Sequence, residues 1–308
     1  MKNSKIIVLL LCLILPVFIA GCDCRLIKNF PTLVAQSKYE DADNYVIGEK
    51  TYKDVKEINV DWILGDINII QVNNTDTVAI TESGELEDAK KVHTYFSDGI
   101  LSVKFWESGL KSFVKASDKS LTLVIPTLDK LNIKMTSGQI ISEDIVLNGD
   151  FELSMTSGEI KVNTIVSQNF NLKMTSGDIE LTSIKANDVD IQLTSGDVEI
   201  SDIEANNVNV KFTSGDVDIS QISAKDCNVK MTSGDLDLGF NYAEKINIEG
   251  TSGSYDVKLP ENATLIVDKV TGSFKSKRDG NFVDNKYIFG SGLCYVKIKY
   301  TTGSLVIR

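Results

Sequence analysis

A Thr-Ser-Gly string recurs at almost constant intervals through the middle of this chain of 308 residues. Its glycines are Gly138, Gly158, Gly177, Gly196, Gly215, Gly234 and Gly253, with steps of 20, 19, 19, 19, 19 and 19 residues. A fixed period near twenty residues marks stacked repeats, in which each unit buries its apolar side only against its neighbours. The period constrains architecture more than any other feature. It also directs the functional reading towards an extended surface and away from a catalytic cleft.

Counting from each glycine turns the repeat into columns. At −7 stand Leu131, Phe151, Phe170, Val189, Val208, Cys227 and Ile246; at −5 stand Ile133, Leu153, Leu172, Ile191, Val210, Val229 and Ile248. At −3 come Met135, Met155, Met174, Leu193, Phe212 and Met231, with Gly250 as the exception. Polar residues lie between them, which is the alternation of a half-buried strand. Apolar residues resume at +2 and +4, and an isoleucine column at +7 (Ile145, Ile165, Ile184, Ile203, Ile222) suggests a third short strand. The inward phase slips by one residue across Ser-Gly, as at a corner or bulge where only glycine is comfortable. Related units surround Gly65 and Gly303, and Gly272 fits in part, with Lys269 at −3 and Ser276 at +4 breaking the pattern.

The pattern predicts an all-β fold, a single-stranded parallel β-solenoid of roughly ten coils of about 19 residues, capped at both ends. Right-handed winding follows by analogy with parallel crossovers. Residues 52–308 form this domain, with 75–126 as an N-terminal capping insertion and 275–294 as a C-terminal hairpin insertion placed before the last coil. Within the first insertion, Glu85–Tyr95 reads as helix-like.

Residues 1–21 read as a secretory leader. Lys2 and Lys5 precede an apolar run, Ile6–Ile19, that is short for a membrane span. Ile19-Ala20-Gly21-Cys22 matches the bacterial lipobox. That resemblance implies cleavage before Cys22, lipid attachment to Cys22 and a membrane partner through the lipid, with 22–51 as a tether. Loss of Lys2 and Lys5 takes the formal charge from −11 to −13. Such a domain is a poor partner for nucleic acid. Cys227 and Cys294 are expected as buried free thiols several coils apart, too far for a disulfide.

Two acidic columns form the candidate ligand or cation face: Asp178, Asp197, Asp216 and Asp235 at +1, and Glu180, Glu199, Asp218 and Asp237 at +3. Like charges stacked about 4.8 Å apart repel, so they are either simply solvated or relieved by weak divalent-cation or cationic-ligand binding. A sparser basic column, Lys134, Lys173, Lys211 and Lys230, is expected to supply solubility and relief between coils. The Thr and Ser columns are expected to brace the corner. No catalytic site and no dedicated cofactor or metal site is expected. The one histidine, His93, is read as a surface residue, and no nucleophile elbow or zinc spacing is present.

The repeated Ser-Gly-Asp-(Ile/Val) unit, the Leu121–Pro126 strand leading into the first Thr-Ser-Gly, and the closing Thr302-Gly303-Ser304-Leu305 resemble the bacterial "putative adhesin" family of β-solenoid domains of unknown function. The resemblance covers about Tyr52–Arg308 and implies an envelope location with roles in adhesion or envelope-stress sensing. The resulting expectation is a lipid-anchored, non-catalytic binding or scaffold module facing outside the cytoplasm, with a surface glycan, cationic peptide or envelope protein as partner. The competing readings are a polysaccharide-active β-helix using acids such as Asp197, Asp216 and Asp218, and a sensor of cationic peptides.

Overall fold

The computed structural model describes residues 31–284 and 286–308, so the leader, Cys22 and the lipobox lie outside the described residues. The fold is all-β. Successive repeat units run parallel and in register, so that Phe151, Leu153 and Met155 lie beside Phe170, Leu172 and Met174, and these lie beside Val189, Ile191 and Leu193. Every residue of the −7 and −5 columns in the seven Thr-Ser-Gly units is buried, as is the isoleucine column at +7. Each such side chain contributes about 1.5–3 kcal/mol on burial, but only once a neighbouring layer is in place. Phe151 and Phe170 stack with ring centroids 5.4 Å apart.

The corner glycines are obligatory. Gly177 has φ +127°, and a Cβ there would lie 2.0 Å from the carbonyl oxygen of Gly158. The exception at Gly250 has a cause in space. A Cβ at that position would lie 1.8 Å from the hydroxyl of Tyr255, whose ring fills the volume that methionine takes elsewhere.

The sheet is mixed rather than wholly parallel, because the ends are built from antiparallel pairs. At one end, Glu57–Leu64 and Ile67–Gln71 lie against Leu128–Val166 on one side, and against Ile100–Lys104 and Ser120–Ile125 on the other. Thr77–Ser83 and His93–Ser97 then join antiparallel to Ser120–Ile125 and Ile100–Lys104. A separate two-stranded sheet joins Thr32–Ala35 to Lys111–Val114. The helix expected at Glu85–Tyr95 is absent; a 3-10 turn at Asp88–Lys90 leads directly into the strand His93–Ser97. Buried Val92 and the Thr94–Tyr95 pair suit a pleated surface, and strand pairing overrides the helical spacing of Leu86, Ala89 and Val92. His93 is buried, not a surface residue, with Nδ1 2.9 Å from the carbonyl oxygen of Lys91.

The other end departs from chain order. Cys294–Tyr300 pairs with Asp235–Gly250 on one side and Ala263–Lys269 on the other, so the last coil in sequence lies inside the Gly272 coil. The corner glycines follow the same order: Gly303 sits against Gly253, and Gly272 against Gly303. Tyr300 and Ile307 give the inserted layer two good apolar faces. Lys269 and Ser276 suit an outermost layer, where one side meets solvent. The hairpin Asn281–Val283/Lys286–Ile288 then pairs antiparallel with Ala263–Lys269. The reordering also brings the two cysteines closer than chain order suggests. Cys227 lies beside Ile246, and Ile246 beside Val296, so Cys294 is two layers away rather than several. Both thiols are free and buried.

Candidate functional site

The Thr-Ser-Gly corner separates two charged faces that differ in what their side chains are bonded to. On the side after the glycine, the +1 aspartates are tied into the backbone. Asp197 Oδ1 accepts the amide N–H of Asp216 at 3.1 Å, and Asp216 Oδ1 accepts that of Asp235 at 3.1 Å. Asp178 serves Asp197, Asp235 serves Ser254, and Asp66 serves Gln139 in the same way, at 3.2–3.4 Å. At Asp197, Asp216 and Asp235 the short aspartate side chain of the preceding layer supplies the acceptor for the +1 amide at the corner, while the Ser254 amide also reaches the Gly234 carbonyl at 3.3 Å.

The +3 acids are relieved at the two ends of their column. Lys161 Nζ lies 2.8 Å from Glu159 and 3.3 Å from Glu180. Arg308 lies 3.1 Å from Asp237 and 2.5 Å from Asp256, which ties its side chain across two layers. Partial burial raises the Asp237 carboxyl above its usual range, with Arg308 opposing the shift. Glu199 and Asp218 are exposed between these ends. The eight acids named from the sequence therefore line one strip but do not converge. Among the described residues, no group of three or more His, Cys, Asp or Glu is close enough to hold a metal ion.

On the side before the glycine lies a long shallow groove of about 740 Å³, lined from Asp61 and Trp62 to Met231 and Thr232. Its floor is the −3 column, with Met135, Met155, Met174, Leu193, Phe212 and Met231 each only 4–5% exposed. One wall is the exposed Thr column at −2; the other is the −4 column. Read in spatial order, the −4 column runs Asp61, Lys134, Ser154, Lys173, Gln192, Lys211, Lys230, Glu249. Its ends are neutralised: Asp61 pairs with Lys104 at 3.3 Å and Glu249 with Lys230 at 3.1 Å. Between them, Lys134, Lys173 and Lys211 make no ion pair among the described residues. Glu152 and Asp190, on the strip beside Lys173, are taken by Lys130 at 2.8 Å and by the Gln192 amide at 2.8 Å. The two hydroxyl columns divide similarly. Ser214, Ser233 and Ser252 donate to the carbonyls of Thr194, Thr213 and Thr232 at 3.3–3.4 Å. The threonine hydroxyls of the groove wall have no such partner among the described residues.

The groove ends against a buried cation. Lys119 Nζ is 2.9 Å from Glu82 Oε2, donates to the carbonyls of Lys90 and Phe105, and lies 5.0 Å from the Trp62 ring centroid. Burial pushes the Lys119 ammonium down to about 8, against the pull of Glu82.

A family model for Toastrack DUF4097 matches residues 55–286. The chain belongs to the Toastrack DUF4097 family. A search of curated proteins finds no match. Among solved structures, this Toastrack chain is similar to a "putative adhesin" from Bacteroides fragilis NCTC 9343, with 17% identity, TM-score 0.43, and coverage of 85% of this chain and 96% of that one. It is also similar to a "putative adhesin" from Parabacteroides merdae ATCC 43184, with 12% identity, TM-score 0.43, and coverage of 89% and 100%. A third, a "putative lipid binding protein" from Parabacteroides distasonis ATCC 8503, has 14% identity, TM-score 0.44, and coverage of 86% and 97%. No helix among the described residues is long and apolar enough to cross a membrane.

Sequence reasoning singled out the acidic strip and passed over the groove. The lysine column was visible, but concavity and the neutralised ends depend on which layers become neighbours. The backbone role of the +1 column had a signal: those positions hold aspartate at 178, 197, 216 and 235, whereas the freer +3 column admits Glu180 and Glu199.

Proposed function

We propose that this Toastrack chain is a non-catalytic, adhesin-like binding or scaffold module, held outside the cytoplasm by a lipid on Cys22. In this reading the stack is a right-handed solenoid of about ten glycine-centred coils that works as a stiff rod about 50 Å long. The observation that carries it is the uninterrupted groove beside the repeat corner, whose threonine wall and apolar floor repeat layer by layer without the local break a catalytic centre needs. A carbohydrate-cleaving site would require converging acids with a base. The best candidates, Asp197 and Asp216, instead hold backbone amides.

Deleting residues 178–215 removes two whole coils and preserves register. Partner binding is expected to weaken in proportion to the lost surface, with the remaining fold intact. Unchanged binding would move the site to the capped ends. Release of fragments from cell-wall or acidic polysaccharides would instead establish an enzyme. Cys22→Ala is expected to move the protein from the membrane fraction to the soluble exported fraction.

A further inference from the structure

We infer that the groove before the corner is a docking surface for an extended acidic polysaccharide bearing one negative charge on every second sugar. The inference rests on the binding-module reading and names its ligand class. Three lysines without acidic partners, Lys134, Lys173 and Lys211, stand at alternate layers of one wall. Their period is two strand spacings, about 10 Å, which is close to the length of an extended disaccharide. Ser154 and Gln192 occupy the intervening layers and offer hydrogen-bonding groups where an uncharged sugar would lie. The opposite wall presents a threonine hydroxyl at every layer, whereas Ser214, Ser233 and Ser252 beside it are committed to backbone carbonyls.

The buried apolar floor suits the C–H faces of sugar rings, and the groove runs along the stack rather than across it. The closing ion pairs, Lys104–Asp61 and Lys230–Glu249, confine the uncompensated charge to the middle. Charge density selects among polyanions. Each strand of a DNA duplex carries one phosphate about every 3.4 Å of helix axis, far denser than this cation spacing. The chain's net charge of −11 opposes every polyanion, and the more densely charged one more strongly.

The test is titration of the full-length chain in detergent with an alternating glucuronate–N-acetylglucosamine polymer. The comparison polymers are dextran, polygalacturonate, oligothymidylate and polyglutamate. The alternating polymer is expected to bind most tightly. The K134Q/K173Q/K211Q variant is expected to lose about tenfold or more of that affinity while melting as the parent does. The equally charged control K185Q/K225Q/K258Q, on other surfaces, is expected to keep it. Binding unchanged by the groove substitutions overturns the site but leaves the binding module standing. Equal, lysine-dependent binding of oligothymidylate or polyglutamate overturns the glycan assignment. So does a groove variant that alters only self-association, which would make a second copy's acidic strip the occupant. If none of the polymers binds, the inference fails and the module reading rests on the coil deletion alone.

Discussion

The strips on either side of the Thr-Ser-Gly corner look alike in sequence, each a column of charge in phase with the repeat, the acids in successive units and the lysines mostly in alternate ones. In the fold they are opposites. The aspartates after the glycine are engaged with the next layer's backbone, and the acids beyond them are bridged at both ends by Lys161 and Arg308. The lysines and threonines before the glycine are left facing solvent along a groove. Periodic charge is therefore no guide to a binding face until hydrogen-bond partners are assigned. The side with unspent donors is the better candidate.

The sharpest way to break this contrast is to remove the corner that creates it. Gly177→Ala places a methyl group against the Gly158 carbonyl in a backbone region closed to alanine. The expected loss is about 4 kcal/mol or more, read as a collapse of the cooperative denaturant transition. A melt like the parent's would show that the corner relaxes easily.

Behind Trp62, at one end of the groove, lies a buried cation that is structural, and it sharpens the comparison. Lys119→Ala leaves the Glu82 carboxylate buried without its partner, at a cost of about 3 kcal/mol. The pH dependence carries a definite sign. Lys119 titrates near 8 when folded, against the ordinary 10.5, so the unfolded chain binds more protons from pH 8 upward and this contribution to stability rises with pH. Burial pushes the Cys227 thiol up to about 12 from 9.0, so above pH 9 the unfolded chain loses a proton first and stability falls. Melting temperature is expected to rise between about pH 8 and 9, and Lys119→Met is expected to abolish that rise. A rise that survives the substitution would point to another group.

Smaller effects separate the exposed columns. Asp197→Ala removes the acceptor for the Asp216 amide and is expected to cost about 1 kcal/mol, whereas Asp197→Asn keeps an acceptor and is expected to be nearly neutral. Equal losses would mean that charge, not the hydrogen bond, matters there. Lys173→Gln is expected to change stability by less than about 0.5 kcal/mol, because nothing in the fold depends on it.

The repeat period made the stack, its inward columns and its corner glycines legible from sequence alone. Three things were not. The place of the Gly303 coil inside the Gly272 coil was hidden, because both fit the period and only apolar faces on both sides distinguish them. The Gly250 exception required knowing that the Tyr255 hydroxyl comes to rest there. The buried His93 strand was masked by a helical spacing that strand pairing overrode.

The central claim is that structure and binding are divided between the two sides of the corner. It is tested most directly by measuring stability and acidic-polysaccharide binding on the same two variants. K134Q/K173Q/K211Q is expected to keep its denaturation midpoint and lose the polymer. D178A/D197A/D216A is expected to lose about 1–3 kcal/mol of stability through three amide acceptors in adjacent, coupled layers, and to keep the polymer. The opposite assignment, or loss of both properties in both variants, would contradict the account.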